Sequence, residues 1–303
     1  MNGPAVSWLA DGRRLHLNHG PIDLIVEAFG EERERLAAYR QAVRRFETIL
    51  DELVAELPAL RRPAGAKARP FTSSTALRME TAVHAYVPAF VTPMAAVAGS
   101  VADEILAALV EGRTLARAYV NNGGDVAFHL TEGESIDVAI AGTDRGFADR
   151  LAIRFTDPVR GIATSGWRGR SHSLGIADAV TVLARSAAAA DTAATLIANA
   201  VDLPGHPGVT RVPANGIDPD SDLRGRLVTK AVGQLASADI AEALENGVAT
   251  ANSMLARDLI EAAALFLCGE SRECGSIISG AQADTPALVI LPAPSIRKGS
   301  IHA

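Results

Sequence analysis

A run of asparagine, glycine and aspartate, Asn121-Asn122-Gly123-Gly124-Asp125, lies between two short apolar segments. Paired glycines adopt positive φ angles, let the backbone approach a ligand closely and leave N–H groups that can bind phosphate. The asparagine and aspartate side chains add hydrogen bonds for the polar edge of such a ligand. The same residues also fit an ordinary hairpin turn, because Asn-Gly is a strong hairpin signal. From these residues alone both interpretations stay open.

A second group of small polar residues, Thr164-Ser165-Gly166, ends an apolar run. Hydroxyl groups beside a glycine form a compact turn that can hold an anion. The next residues add Trp167, which can stack on a flat ring, and Arg168 and Arg170, which can neutralise a phosphate. A solvated Ser/Gly/Arg loop explains the same residues equally well.

A carboxylate and a hydroxyl, Asp191 and Thr195, lie four residues apart in an alanine-rich segment predicted to be helical. Residues at this spacing share one face of a helix. Two oxygen ligands placed in this way suit Mg²⁺, which prefers oxygen donors and keeps several of its waters. The alternative is a solvent-facing aspartate next to a threonine of the core.

The segments that must position these groups predict an α+β fold, with long helices packed on a largely antiparallel sheet. Short alternating runs predict the strands Leu15–Leu17, Ile22–Val26, Arg117–Val120, Val126–Leu130, Ile136–Ile140, Leu151–Phe155, Val180–Leu183 and Arg226–Val232. Apolar spacing predicts the helices Glu31–Leu57, Thr75–Val110 with breaks near Pro88 and Pro93, Ser186–Val201, and Ser237–Cys268 capped by Gly269. Glycine and proline content predicts loops over Pro58–Pro70, Gly161–Gly175 and Leu203–Pro219.

The predicted helix Glu31–Leu57 has apolar residues spaced alternately by three and four. About three heptads of this pattern are enough for a coiled coil. The alternative is an amphipathic helix that packs on its own domain. On the coiled-coil interpretation we expect a homodimer.

Composition limits the classes of function. The chain has 303 residues, 48% of them hydrophobic, which is enough for one large domain spanning 1–303. A net charge of −6 and an aromatic content of 4% argue against nucleic-acid binding, which needs a basic surface and stacking rings. Two cysteines support neither a disulfide framework nor a zinc site.

The segment Thr81–Ala102 has no charged residue and is long enough to span a bilayer. Its prolines, glycine and hydroxyls favour a buried helix–turn–helix instead. The first eleven residues lack the basic start and apolar stretch of a signal peptide. We therefore expect a cytoplasmic protein without a membrane partner.

The order of the three groups resembles the ApbE-type FAD:protein FMN transferases. An alanine-rich helix, Ala95–Asp103, precedes the Gly-Gly-Asp turn, and Thr-Ser-Gly and Ala-Asp-x-Ala-Ala-Thr follow it. The resemblance covers Pro93–Val201, about a third of the chain, and is closest to the uncharacterised, divergent branch of that superfamily.

The resemblance implies an ApbE-like α+β fold that binds FAD as substrate or ligand. It implies that Mg²⁺ is held by Asp191, Thr195 and a backbone carbonyl of Ala96 or Ala98. It further implies that FMN passes to a Ser or Thr hydroxyl of an acceptor protein while AMP leaves. The implied flavin-nucleotide residues are Asn121, Gly123, Gly124, Asp125, Thr164, Ser165 and Gly166.

The chain departs from the transferases in two places. Gly99 stands where they carry a lysine, and Ser171–Asp178 replaces their His-Ile-x-Asp-Pro segment. His172 and Asp178 are the candidates for the catalytic role of that segment. Two other functions stay open: a non-catalytic nucleotide-binding or scaffold protein, and an enzyme for another phosphorylated or pterin-like ligand.

Overall fold

The computed structural model describes residues 3–139, 150–169, 171–275 and 288–289. Helices cover one face of a nine-stranded sheet, and a three-stranded sheet covers the other. The strands are β1 (Ala5–Trp8), β2 (Leu15–His19), β3 (Ile22–Gly30), β4 (Leu115–Asn122), β5 (Asp125–Leu130), β6 (Ser135–Ala139), β7 (Arg150–Arg154), β8 (Gly161–Ser165), β9 (Ala179–Ala184), β10 (Val209–Pro213), β11 (Leu227–Val232), β12 (Ala262–Leu267), β13 (Glu270–Gly275) and β14 (Leu288–Val289). The helices are α1 (Glu32–Leu60), α2 (Ser74–His84), α3 (Val97–Val110), α4 (Ala187–Ala200), α5 (Ala214–Ile217) and α6 (Ser237–Leu255), and a 3₁₀ turn spans Pro93–Ala96.

All neighbours in the large sheet are antiparallel, which confirms the predicted α+β class. Its strand order is β1-β2-β3-β4-β5-β8-β9-β12-β13. The three-stranded sheet has the order β14-β6-β7, and β10 and β11 form a separate ribbon. The strands predicted from alternating runs are all present, except that Ile140 lies outside the described residues.

Successive residues of the central strands point to opposite faces of the sheet, as the two-residue period of a strand requires. The helix side takes Val120, Ala127, Ala163, Val182 and Ala263. The side of the small sheet takes Tyr119, Val126, Ile162, Leu183 and Ala262. Alanines on the helix side let α3 and α4 lie close to the strands beneath them.

Helix α3 packs against α1, α4, β4 and β5. By length and composition Pro93–Val110, with a mean hydropathy of 1.5 over 18 residues, could cross a membrane, and half of it is buried within the fold. The core helix of a soluble protein meets the same criteria. These contacts agree with the interpretation of this region as a buried helix–turn–helix.

Helix α1 extends to Leu60, so Pro58 lies in its last turn and not in a linker. Its apolar seam packs on the helix's own domain, since Tyr39, Phe46 and Leu50 are all buried there. This favours the amphipathic-helix interpretation over the coiled coil. The homodimer stays a prediction, and its contact would need another surface.

The prediction of one helix over Ser237–Cys268 is wrong. Helix α6 ends at Leu255, and Ala262–Leu267 is strand β12, buried at every position. Its alanines resemble a helix in composition, but a strand covered on both faces also reads as a continuous apolar run. Gly269, with φ +83°, closes the β12–β13 hairpin instead of capping a helix.

Two predicted loops also contain regular structure. Gly161–Ser165 is the central strand β8. A Cβ atom on Gly161 would lie 2.0 Å from the carbonyl carbon of Ser186, so this glycine permits close packing and does not mark a loop. The segment Leu203–Pro219 contains β10 and the short helix α5.

Candidate functional site

The Gly-Gly turn connects β4 to β5, and Asn122 pairs with Asp125 across it. Gly123 and Gly124 both have positive φ angles, +65° and +116°, which residues other than glycine adopt only with strain. The N–H of Gly124 donates to Oδ1 of Asn121 at 2.9 Å. The hairpin interpretation is therefore correct, and the turn is stabilised by its own asparagine.

The polar side chains of this turn are nearly buried, which is unusual because hairpin tips normally face solvent. Asn121 is 9% exposed, Asn122 is 6% and Asp125 is 9%. The turn lies next to the N-terminal halves of α3 and α4. Its polar groups bond to α3 and to the Thr-Ser-Gly segment.

Asp125 connects the turn to the Thr-Ser-Gly segment. The N–H of Thr164 donates to Oδ1 of Asp125, with 3.3 Å between the atoms. The hydroxyl of Thr164 lies 2.9 Å from that of Thr181 on β9. The sheet register places Thr164 opposite Thr181, so the two predicted groups lie at the same end of the sheet.

The first turn of α3 connects the hairpin to Asp191. Asn122 Nδ2 donates to the carbonyl of Ala98 at 3.0 Å. The next residue, Gly99, donates its N–H to Oδ2 of Asp191 at 3.0 Å. Three hydrogen bonds thus join the Gly-Gly turn, the Thr-Ser-Gly segment, α3 and α4, and the bonded residues are up to 92 positions apart in the chain.

The same two helices cap each other. Asp103 of α3 accepts hydrogen bonds from the N–H groups of Ala187 and Ala188 at 3.0 and 2.9 Å, while Asp191 of α4 accepts from Gly99. These contacts join the N-terminal halves of the two helices to each other. Sequence reasoning missed this role of Asp103, whose only signal is its four-residue spacing from Gly99.

The absence of a side chain at Gly99 makes this contact possible. A Cβ atom there would lie 2.2 Å from the carbonyl oxygen of Ala187, well inside any allowed contact. Close packing of backbone on backbone therefore explains why this position carries no side chain.

Burial raises the pKa of both capping carboxylates. Burial and then the negative charge of Asp125 raise the pKa of Asp191 well above its usual value, while the N–H groups of Gly99 and Ala98 lower it. Burial also raises the pKa of Asp103, against the N–H groups of Ala188 and Ala187. A cation near Asp191 would remove the repulsion from Asp125.

The side chains at Asp191 and Thr195 carry oxygen donors of the type that Mg²⁺ prefers. Within the described residues no group of three or more His, Cys, Asp and Glu side chains could hold a metal. Asp191 and Thr195, on one face of α4, nevertheless offer the hard oxygens that Mg²⁺ takes together with ligand phosphates and water. The Ala98 carbonyl, one of the two backbone candidates, already accepts a hydrogen bond from Asn122.

A comparison with models of protein families identifies the family to which the chain belongs. A family model described as AbpE bacteria matches residues 6–273, most of the sequence. The chain belongs to this bacterial AbpE family. The match confirms the resemblance stated above, and it places the chain in a divergent branch of the ApbE-like superfamily.

Several archaeal proteins named UPF0280 are similar to this AbpE-family chain. The UPF0280 protein of Methanopyrus kandleri is 34% identical over 171 residues, covering 56% of this chain and 67% of its own length. Those of Methanococcoides burtonii and Methanothrix thermoacetophila are 37% and 40% identical over 39% and 37% of this chain. The chain spans 48% and 46% of these two proteins.

Two solved structures also align with this AbpE-family chain. The apo flavinyl transferase ApbE of Pseudomonas stutzeri gives a TM-score of 0.43 at 12% identity, covering 92% of this chain and 97% of its own. A mutant of the flavin transferase ApbE of Vibrio cholerae gives 0.46 at 13%, covering 87% and 97%. Scores at this level carry no functional argument for the chain.

His172 of the AbpE-family chain lies in the partly buried loop before β9. The next two residues of the loop bond to Asn199 Oδ1, Leu174 through its N–H at 2.9 Å and Ser173 through its hydroxyl at 3.3 Å. These bonds hold the loop at the C-terminal turn of α4, about 12 Å along the helix from Asp191. The catalytic role of His172 stays a prediction.

Asp178 lies just before β9, at the end of the sheet that also carries Gly166. Its Oδ1 accepts hydrogen bonds from Trp167 Nε1 at 3.2 Å and Arg168 Nε at 2.6 Å. Its Oδ2 accepts from the N–H of Cys268 at 2.7 Å. Both oxygens therefore hold neighbouring structure, and the catalytic role of Asp178 also stays a prediction.

Arg170, another predicted phosphate ligand, lies outside the described residues.

Proposed function

We propose that this chain binds FAD, with Mg²⁺ held by Asp191 and Thr195 next to the diphosphate of the nucleotide. The observation that carries the proposal is the pair of hydrogen bonds from Asn122 to Ala98 and from Gly99 to Asp191, each 3.0 Å long. They bring the Gly-Gly turn and the aspartate of α4 to one point. Membership of the ApbE-like superfamily supports the choice of a flavin nucleotide.

The chain's own groups have separate tasks in this proposal. Asp191 and Thr195 hold the cation, which neutralises the diphosphate and stabilises negative charge that develops on phosphorus. Asn121, Gly123, Gly124 and Asp125 line the nucleotide on one side. Thr164, Ser165 and Gly166 line it on the other. Asp103 holds the first turn of α4 and so keeps Asp191 in position.

Transfer of FMN to a Ser or Thr hydroxyl of an acceptor protein is the proposed reaction. The acceptor oxygen forms a bond to the FMN phosphorus, the anhydride bond breaks, and AMP leaves with the bridging oxygen. A base must take the hydroxyl proton, and His172 and Asp178 are the candidates in this chain.

Nucleotide binding without transfer is the second candidate function. The hydrogen bonds of Asp178 favour it, because both oxygens of that carboxylate are engaged by Trp167, Arg168 and Cys268. Gly99, where the transferases carry a lysine, packs against the backbone of Ala187 and leaves no room for a side chain.

Incubation of the purified protein with FAD, in Mg²⁺ or in EDTA, separates these functions. Release of AMP, measured by chromatography, supports transfer, and tight binding of intact FAD supports the second function. If neither result is observed, another phosphorylated or pterin-like ligand becomes the candidate.

Asp191→Ala should abolish the Mg²⁺-dependent part of FAD binding. Asp220→Asn is the matched control, because the side chain of Asp220 is 82% exposed and should leave binding unchanged. Equal affinity in wild type and Asp191→Ala would remove the metal assignment.

The proposal includes a single domain, a homodimer and a cytoplasmic location. Because the apolar seam of α1 packs within the chain, the dimer contact would lie elsewhere. Light scattering decides the oligomeric state, and a monomer would rule out the homodimer.

A further inference from the structure

Arg168 makes two defined side-chain contacts although it lies at the surface. Its Nε donates to Oδ1 of Asp178 at 2.6 Å, and its guanidinium lies 5.1 Å from the centre of the Trp167 ring. The side chain is nevertheless 64% exposed. Two different contacts thus fix a cation that would otherwise sample many rotamers.

The support beneath Arg168 is itself fixed. Trp167 donates its ring N–H to Asp178 and its backbone N–H to the carbonyl of Ala177 at 3.0 Å. A Cβ atom on Gly166 would lie 2.4 Å from the carbonyl oxygen of Asp178, so the chain turns in close contact there.

The terminal nitrogens of Arg168 are available for a ligand. In the part of the chain that the structure describes, the only hydrogen-bond acceptor of this guanidinium is Asp178, through Nε. Two parallel N–H groups on a planar guanidinium match the oxygens of a phosphate. Because the two contacts already restrict its rotamers, such a fork loses less side-chain entropy on binding an anion than a free arginine does.

The position of Arg168 relates it to the proposed nucleotide site. Thr164 bonds to Asp125 of the Gly-Gly turn, and Arg168 follows Thr164 by four residues at the same end of the sheet. At about 3.3 Å per residue, the two residues lie within roughly 13 Å of each other.

We propose that Arg168, fixed by Asp178 and Trp167, is a phosphate-binding residue for the nucleotide. The inference deepens the proposed function and rests on it for the identity of the ligand. Asp178 acts here as a positioning residue for Arg168.

Binding of AMP and inorganic pyrophosphate, measured by calorimetry in EDTA, tests this residue without the cation at Asp191. Loss of a charge-assisted hydrogen-bond pair should weaken binding about tenfold or more in Arg168→Ala. Arg168→Lys keeps the charge but lacks the fork, so it should weaken binding less. Adenosine, which has no phosphate, should bind equally to wild type and Arg168→Ala.

Arg185→Ala is the matched control. Arg185 lies at the opposite end of β9, is 66% exposed and pairs with Glu261 through Nε at 3.1 Å. Its loss should leave the affinity for AMP and pyrophosphate unchanged. Equal effects of the two alanine variants, or no binding of either phosphate to wild type, would overturn the proposal.

Fluorescence locates the binding event. The chain has two tryptophans, Trp8 and Trp167, so Trp8→Phe leaves Trp167 as the reporter. Pyrophosphate should shift the emission of this variant, and the additional change Arg168→Ala should remove the shift. Emission that does not respond to bound pyrophosphate would place the anion elsewhere and overturn the assignment.

Asp178→Asn tests the positioning role. The variant should weaken pyrophosphate binding less than Arg168→Ala does, and have no further effect when Arg168 is already alanine. Additive losses would show that Asp178 does not act through Arg168. Failure of the Asp191 assignment is separate, because it removes only the Mg²⁺-dependent binding of FAD.

Discussion

Asp191 and Asp178 are carboxylates near the same end of the sheet, yet their surroundings differ in charge. Asp178 has an arginine at 2.6 Å and two N–H donors. Asp191 has backbone N–H donors and two neighbouring acidic residues, Asp125 and Asp103, and no salt bridge to it occurs within the described residues. A buried carboxylate without a cation is costly, so it is protonated or it binds one. Asp178 thus has a cationic partner in the chain, whereas Asp191 has none among the described residues.

The largest expected effect comes from separating the two helices that hold Asp191. In Gly99→Ala the new Cβ meets the backbone of Ala187, which cannot give way as a side chain would. Overpacking of this kind should lower the free energy of unfolding by about 3 kcal/mol, measured by urea denaturation. Gly216→Ala is the control, since no atom lies within 4 Å of its Cβ position. Equal stabilities would show that α3 and α4 can move apart at no cost.

The next effect is a pH dependence that comes from Asp191. Because burial raises the pKa of Asp191 in the folded state, this carboxyl group binds more protons in the folded than in the unfolded chain above pH 3.8. The metal-free protein should therefore lose stability as pH rises from 3.8 through the raised pKa. Mg²⁺ should reverse the loss, and Asp191→Asn should remove that part of the slope. Thermal melts in EDTA across this range measure it, and equal profiles for wild type and Asp191→Asn contradict the raised pKa.

Asp103→Ala should have a smaller effect, because it removes one cap from α4 while the Ser186 hydroxyl still accepts from Ala189 at 3.2 Å. Loss of an N-terminal cap costs about 1 kcal/mol. Thermal denaturation measures this change. A matching drop in Mg²⁺-dependent FAD affinity would sharpen the comparison, because it shows that the cap holds Asp191 in place.

The smallest effect is expected for Asp178→Asn in the absence of ligand. Its arginine partner is 64% exposed, so the ion pair contributes less than about 1 kcal/mol to stability. The direction should be opposite to that of Asp191→Asn, which removes a buried charge and should stabilise the metal-free protein near neutral pH. Urea denaturation of both variants at pH 7 checks the sign, and the same sign in both would break the comparison.

Strands β4, β5 and β9 could be predicted from the sequence, whereas β8, which carries Thr164 and Ser165, and β12 could not. Strand β8 has glycine at its first position for a reason that lies 25 residues away, in the backbone of Ser186. Strand β12 is buried on both faces, so its alanines show no alternation. In both cases a tertiary contact decides the local structure, and local composition does not record it.

The site residues also divide into those whose arrangement could be predicted from the sequence and those whose arrangement could not. The spacing of Asp191 and Thr195 placed both on one face of a helix, and the Gly-Gly pair predicted the positive φ angles of its turn. The exchange of caps between Asp103 and Asp191 depends on the crossing of two helices. The sequence suggested Asp178 as a candidate for the catalytic role of the replaced segment, but it did not indicate that the partners of this carboxylate come from two other segments, at Trp167 and Cys268.

The mutual capping of α3 and α4 also has a consequence for the synthesis of the chain, because one helix is made well before its partner. The N–H of Gly99 and its acceptor on Asp191 are 92 positions apart in the chain. At a translation rate of roughly 5–20 residues per second, the first helix leaves the ribosome roughly 5–18 s before its acceptor is synthesised. During synthesis the N–H groups in the first turn of α3 must therefore bond to water, and the candidate site is completed only when the second half of the chain has emerged.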